Sequence, residues 1–410
     1  MPDLRTTFPN FREAPHSPAI IIEGKPLSYS SLAALVDERC KRRVKPAIFE
    51  AAASLDCILD LLALWQLDLA AFPLNPRLPQ QTRESLIERA GTDRLAAATL
   101  LATSGTTGTP KIAVLALENY LASAHSSAKT LKLGPGHSWH LSLPLFHVSG
   151  LSILFRCLVS GATIALDQDP LSSNATHFSL VPTQLFRILQ DPEKIAFYKK
   201  AHCLLLGGAP LTSCLYEEAL RAGLHIFTSW GMTETAAMAT LNGKTLPHIE
   251  ISLADDCEIR VRGPSLFQGY LAMGELSRPF DDDGWFSTRD LGAYDENGNL
   301  MWKGRKDNLF ISGGENIQPE EIEQALGQLP EILEAIVVPI DDPEFGALPA
   351  AFIRTLSGYM EIKKIREALS LHLPRFKIPR HFFPLPDNSS LKPSRALLGQ
   401  LARANRNAKW

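Results

Sequence analysis

No two cysteines of this 410-residue chain are spaced as a CxxC pair; the six lie scattered at positions 40, 57, 157, 203, 214 and 257. That scatter speaks against a zinc site or a disulfide framework. It predicts reduced thiols buried as small apolar side chains. No apolar run approaches the roughly 20 residues that span a bilayer, so a membrane role is not expected. The opening MPDLRTTFPNFREAPHS is polar and proline-containing, unlike a secretory leader. Blocks of like charge, internal repeats and low-complexity tracts are also missing. A net charge of −3 argues against a general nucleic-acid surface. Together these absences predict a cytoplasmic protein with small-molecule business.

What is present is ordinary globular material, 45% hydrophobic and 21% charged, long enough for more than one domain. The segment AIIIEGKPLSYSSLAALVDERCKRR reads as a strand, a turn at Gly24-Lys25, a second strand and a helix. Ser30 or Ser31 can cap that helix. Further on, ATLLATSGTTGTPKIAVLAL sets a Gly/Ser/Thr loop between two β-forming runs. In HCLLLGGAPL a short buried strand breaks at Gly207 and Gly208. Alternation of strands and helices over roughly three hundred residues predicts α/β layers. The character then changes. Pro319 suits the first turn of a helix with Ile322, Leu326 and Leu329 on one face, and AIVVPI and AAFIRT read as strands. Ile362, Ile365, Leu369 and Leu373 mark a second helix stopped by Pro374. Helix, strand, strand, helix predicts a small α+β domain, so the chain divides into 1–305 and 306–410 with the junction at Arg305 to Asp307.

The sharpest local signal is TSGTTGTPK, Thr103 to Lys111. Gly105 and Gly108 permit backbone conformations in which successive N–H groups turn toward one anion. Ser104, Thr106, Thr107 and Thr109 add hydroxyl donors and Lys111 a cation, so the loop suits a polyphosphate. A kinase P-loop would need GxxxxGK[ST] opening a helix. Here the lysine follows Pro110, and IAVLAL reads as a strand.

TSGTTGTPK resembles the signature loop of the acyl-adenylate-forming superfamily of acyl-CoA synthetases, luciferases and peptide-synthetase adenylation domains. The resemblance continues in order to residue 396. LLLGGAPL resembles the adenine-binding loop at Gly207, Gly208 and Ala209. SWGMTE supplies Ser229, Trp230, Gly231, Met232, Thr233 and Glu234, which implies adenine packing at Trp230 and Gly231. It also implies an α-phosphate contact at Thr233 and magnesium at Glu234. GWFSTRD is similar to GWFxTGD, implying a ribose clamp at Asp290, with Arg289 where glycine is usual. GRKDNLFISGGENIQPEEIE implies a ribose and phosphate contact at Arg305, a hinge at Asp307 and a coenzyme A tunnel at Gly313 and Gly314. Ser312 stands where many members carry lysine. NSSLKPSRALL implies the catalytic lysine at Lys392, with Leu391 in place of the usual glycine. The fold implied is a large N-terminal domain of layered sheets and helices, its first subdomain shortened, with a smaller mobile α+β C-terminal domain.

Within the superfamily, PLFHVSGLSILFR, GWFSTRD and the Lys-x-Ser-Arg ending look like the o-succinylbenzoate–CoA ligases. That likeness implies substrate contacts at Ser149 and Arg156, and His147 as a wall and gate of the acyl pocket. An aromatic diacid needs a cation for its second carboxylate, which Arg156 can supply. The implied reaction consumes ATP with Mg2+ and coenzyme A. From the residues alone, Ser149 can equally cap its helix, Gly150–Leu158, and Arg156 can face solvent. Another aromatic or medium-chain acyl-CoA ligase, an adenylation domain serving a carrier protein, a non-catalytic nucleotide or acyl-adenylate sensor, and a homodimer all stay open.

Overall fold

Apolar runs with no polar face build the centre of the molecule. The computed structural model describes residues 3–42, 48–91, 97–103, 110–209, 211–355, 361–386 and 394–405. Five parallel strands, Ser138–His140, Thr163–Ala165, His177–Leu180, Cys203–Leu206 and Ile226–Met232, form the middle of a nine-stranded sheet. Cys203–Leu206 is buried along its whole length, as a parallel strand covered on both faces must be. Helices Leu117–Thr130 and Val148–Ser160 contribute Tyr120, Phe155 and Leu158 to one core; Pro182–Leu189 and Ser213–Arg221 contribute Leu185 and Leu215 to another. The hairpin of Pro18–Ile22 and Lys25–Ser28 closes one edge of this sheet, and Ala237–Leu241 with Lys244–Thr245 closes the other.

Two antiparallel sheets flank this layer. One joins Thr99–Thr103 and Lys111–Leu115 to Gly269–Ala272 and Glu275–Ser277. The other joins Glu250–Leu253, Glu258–Arg262, Phe286–Tyr294 and Leu300–Arg305. Beyond Lys306–Asn308, Ile332–Asp342, Gly346–Thr355 and His381–Pro384 form a small sheet packed by Pro319–Leu326, Ile362–Leu369 and Arg395–Ala404. The α/β layers and the smaller α+β portion are those expected.

Local boundaries differ in instructive ways. The first long helix begins at Tyr29, and the Ser28 hydroxyl accepts from the Ser31 N–H at 3.2 Å, so Ser28 does the capping expected of Ser30 or Ser31. The preceding turn is Glu23-Gly24, where both residues have positive φ, not Gly24-Lys25. Leu329 and Leu373 lie past the ends of Pro319–Leu326 and Ile362–Leu369 but still pack on the same core. The helix read as Gly150–Leu158 spans Val148–Ser160. Burial of the thiols holds for Cys57, Cys157 and Cys203. Cys40 and Cys214 are half-buried and Cys257 is exposed, because its turn puts it outside the sheet. No helix among the described residues is long and apolar enough to cross a membrane.

Candidate active site

The parallel strands all end on one edge of the sheet, where open α/β folds bind their ligands. Gly207, Gly208 and Ala209 follow Cys203–Leu206 there, and the Ser229 hydroxyl of the neighbouring strand donates to the Leu206 carbonyl at 3.2 Å. Trp230, Gly231 and Met232 complete that neighbouring strand, and Thr233 and Glu234 sit in the 3-10 turn Thr233–Thr235 after it. The turn folds tightly back into Ala237–Leu241. A Cβ at Gly231 would lie 1.8 Å from the Ala237 carbonyl oxygen, so only glycine fits. Thr235 locks the turn, accepting from the Met232 N–H at 3.0 Å and donating to the Ala237 carbonyl at 2.7 Å.

Thr103 and Lys111 face each other as the last cross-strand pair of their hairpin. The intervening Ser104, Gly105, Thr106, Thr107, Gly108 and Thr109 lie outside the described residues, as does Lys392. The Lys111 ammonium sits 4.7 Å above the ring of Tyr270, whose hydroxyl donates to Glu234 Oε1 at 2.6 Å. Glu234 is half-buried, and among the described residues no lysine or arginine is ion-paired with it. A hard cation shared with phosphate oxygens fits such a carboxylate, since magnesium is commonly held by one carboxylate and substrate phosphates.

Asp290 is the best-buried acid of the site. Trp230 Nε1 donates to its Oδ2 at 2.8 Å, and Arg305 donates to its Oδ1 at 2.9 Å. Burial raises its pKa, and Arg305 and Trp230 pull it back down. Arg305 also bonds Asp307 at 3.2 Å, and Asp307 in turn receives Arg289 at 2.5 Å. Arg289 holds φ +63°, the left-handed conformation that the usual glycine would adopt. Its backbone N–H is anchored on Glu258 Oε1 at 2.8 Å, so the turn survives the substitution. Gly313 and Gly314 form the positive-φ turn of the hairpin Phe310–Ser312 and Glu315–Ile317, with Gly313 against the Phe345 ring.

His147 is the residue before helix Val148–Ser160 and is exposed on one side; the protein crowding its ring still lowers its pKa by desolvation. With His147 at the cap position, Ser149 lies inside the first turn, so it is not the cap. Arg156 does not face solvent either: only 3% of it is exposed. Its guanidinium lies 4.8 Å above the Trp139 ring, and Nη2 donates to Ser152 Oγ at 2.7 Å. Ser152 in turn donates to the Ser149 carbonyl at 2.8 Å, so Ser149, Ser152 and Arg156 form one ridge of the helix. Among the described residues no carboxylate pairs with Arg156, and Nη1 is buried without a partner. Burial pushes its pKa down to about 10, which leaves it cationic at neutral pH. Ser152 and Tyr270 escaped the sequence reading. The helical i, i+4 spacing of Ser152 and Arg156 was the available signal for the first; the second has none.

A glycine-bounded strand end, a hairpin end carrying Lys111 and a buried carboxylate held by Trp230 and Arg305 are the arrangement of an AMP-binding enzyme. The chain belongs to this family: residues 92–271 match the AMP-binding enzyme and 321–392 the AMP-binding enzyme C-terminal domain. It is similar to the 2-succinylbenzoate–CoA ligase of Salmonella typhimurium, 36% identical over 391 residues and 84% of each chain. It also resembles an E. coli MenE variant with bound OSB-AMS, at TM-score 0.86 and 30% identity over 98% of this chain and 99% of that one. The o-succinylbenzoate coenzyme A synthetase of Bacillus subtilis, in complex with ATP and magnesium ion, matches at TM-score 0.80 and 28% identity, over 96% and 98%.

Proposed function

We propose that this protein is an ATP-dependent acid–CoA ligase that converts 2-succinylbenzoate to 2-succinylbenzoyl-CoA through an acyl-adenylate, releasing AMP and pyrophosphate. The observation that carries the choice of acid is Arg156, a buried cation that no carboxylate among the described residues pairs. Burying an unpaired charge is costly, and a substrate carboxylate offsets that cost. The relatives' names point to the same acid.

A free carboxylate is a poor acyl donor because oxide would have to leave. One of its oxygens attacks the α-phosphorus of ATP, the bond to the bridging oxygen breaks, and pyrophosphate departs. Ser104 to Gly108 and Lys111 hold the phosphates; Gly207 to Ala209, Ser229, Trp230, Gly231 and Met232 hold adenine; Asp290 and Arg305 hold ribose. Thr233 binds the α-phosphate, and Glu234 holds magnesium, which supplies charge neutralisation for the departing pyrophosphate. Lys392 stabilises charge at the α-phosphate as the new bond forms. His147 walls the acyl pocket, and Ser149 and Arg156 take the second carboxylate. The C-terminal domain, 306–410, then turns against 1–305 about Asp307, carrying Lys392 away and Gly313 and Gly314 inward. The coenzyme A sulfur attacks the anhydride carbonyl, AMP leaves and the thiol proton is released. This chemistry is cytoplasmic, needs no nucleic acid or membrane, and is compatible with a homodimer.

The test is pyrophosphate release over a panel of acids with free coenzyme A. The expected result is 2-succinylbenzoate above all others; benzoate or octanoate outperforming it would overturn the choice of acid. Turnover only with a carrier protein would replace coenzyme A as acceptor. No ATP–pyrophosphate exchange with any acid would leave a sensor.

A further inference from the structure

Tyr270 lies between the two charged groups expected to meet the triphosphate. Its strand, Gly269–Ala272, pairs antiparallel with Lys111–Leu115, with Tyr270 opposite Ala113. That pairing brings the phenol ring under the Lys111 ammonium, 4.7 Å from the ring centroid. The same segment grips Glu234 twice. The Phe267 N–H donates to the Glu234 carbonyl at 2.9 Å, and the Tyr270 hydroxyl donates to Glu234 Oε1 at 2.6 Å. The Phe267 ring, 4.8 Å from that of Tyr270 and edge-on, fixes the phenol's tilt.

We propose that Tyr270 is a positioning residue for adenylation: it orients the Glu234 carboxylate toward the metal and keeps Lys111 from pairing with it. The proposal rests on the reading of Glu234 as the magnesium-holding carboxylate. A lysine and a glutamate this close would neutralise each other directly if nothing stood between them, and both would be lost to the nucleotide. The ring gives Lys111 a weak, readily exchanged cation–π partner. The hydroxyl occupies one carboxylate oxygen and fixes the direction of the other, as partners of metal-ligating carboxylates do.

The experiment uses the full-length protein saturated with α,β-methylene-ATP and reads Mn2+ binding by electron paramagnetic resonance. Tyr270→Phe keeps the ring and removes only the hydroxyl, so its thermal midpoint should stay near that of the wild type. Its Mn2+ Kd should rise about 10-fold, the lower end for loss of such a partner, because phosphates supply much of the coordination. The Mg2+ needed for half-maximal pyrophosphate release should rise in parallel, while thioester formation from supplied acyl-adenylate is unchanged. Tyr270→Leu, which removes the ring as well, should weaken ATP-analogue binding further. Tyr294→Phe, which loses a phenol bonded to the Ile251 carbonyl at 3.4 Å, is the control and should shift neither. An unchanged Mn2+ Kd in Tyr270→Phe, with Glu234→Gln raising it, overturns the role of Tyr270 alone. An unchanged Kd in Glu234→Gln overturns the reading of Glu234, and the role of Tyr270 with it.

Discussion

Replacing Arg156 by methionine should make the free enzyme more stable and a worse catalyst. The guanidinium has Ser152 and the Trp139 ring for company, and among the described residues no counter-charge. Burial, the chief cause, pushes its pKa below the usual arginine range to about 10. At about 1.4 kcal/mol per pKa unit, that drop corresponds to roughly 3 kcal/mol of unfavourable burial. The sign is clear: the unfolded arginine binds its proton more tightly, so the penalty is complete below about pH 10, hence fully present at neutral pH, and is relieved only as pH rises above that. Methionine of similar volume removes it, and Ser152 keeps its 2.8 Å bond to the Ser149 carbonyl. A gain of about 1–3 kcal/mol in unfolding free energy is expected, in line with apolar replacement of buried charge. A charge-assisted hydrogen bond to the substrate is worth about 1.5–3 kcal/mol, so kcat/KM for 2-succinylbenzoate should fall about 10- to 150-fold. A monoacid analogue lacking the second carboxylate should lose little. Denaturant unfolding without substrate and pyrophosphate release with the two acids measure both halves. A less stable variant, or equal loss on diacid and monoacid, would refute the reasoning.

Three further outcomes are expected. Lys392→Ala should lower adenylation by about 10²–10³, as for removal of one transition-state donor, and spare thioester formation from supplied acyl-adenylate; equal loss of both half-reactions counts against it. Gly231→Ala should yield little soluble protein or a sharply lower thermal midpoint, because the new Cβ would meet the Ala237 carbonyl at 1.8 Å; wild-type stability would contradict the turn as described. His177, 1% exposed and ringed by His137, His202 and Arg156, has its pKa pushed down to about 3, with burial the first cause. Unfolded, it takes up its proton near pH 6.5, so stability should be lost as pH falls from there toward 3, by about 1.4 kcal/mol per pH unit for this one group. His177→Gln should flatten that slope in acid unfolding; an unchanged slope would assign the loss to other groups.

The layered α/β fold was legible because its strands are short apolar runs bounded by glycine, as at Cys203–Leu206, and because amphipathic spacing marks two of the three C-terminal helices, Pro319–Leu326 and Ile362–Leu369. Ser229 reaches the strand end before Gly207, and Trp230 beside it bonds Asp290. Other features could not be read in advance. Capping by Ser28 in place of Ser30 depends on where the hairpin releases the chain. Burial of Arg156 depends on the depth at which its helix packs, which spacing does not report. Tyr270 belongs to a strand whose partner, Lys111–Leu115, is more than a hundred residues away in sequence, so nothing local hints at its contact with Glu234. Arg289 replaced an expected glycine, and only the Glu258 anchor explains how a non-glycine residue keeps the left-handed turn.

The same arginine bears on how the proposed rotation can be easy. Arg305 joins Asp290, the proposed ribose clamp, to Asp307, the proposed pivot, and Arg289 joins the pivot from the other side. The two carboxylates of this chain are shielded, with side-chain exposures of 8% at Asp290 and 13% at Asp307, while the arginines are more open, 33% at Arg305 and 62% at Arg289. The Arg289 end of its pair with Asp307 is largely in solvent, which screens the pair and lowers the cost of breaking it. The pair between Arg305 and Asp290 is better shielded and sits on the N-terminal side of the pivot. A rotation about Asp307, as proposed, leaves the Arg305–Asp290 pair in place, because both residues lie on its N-terminal side.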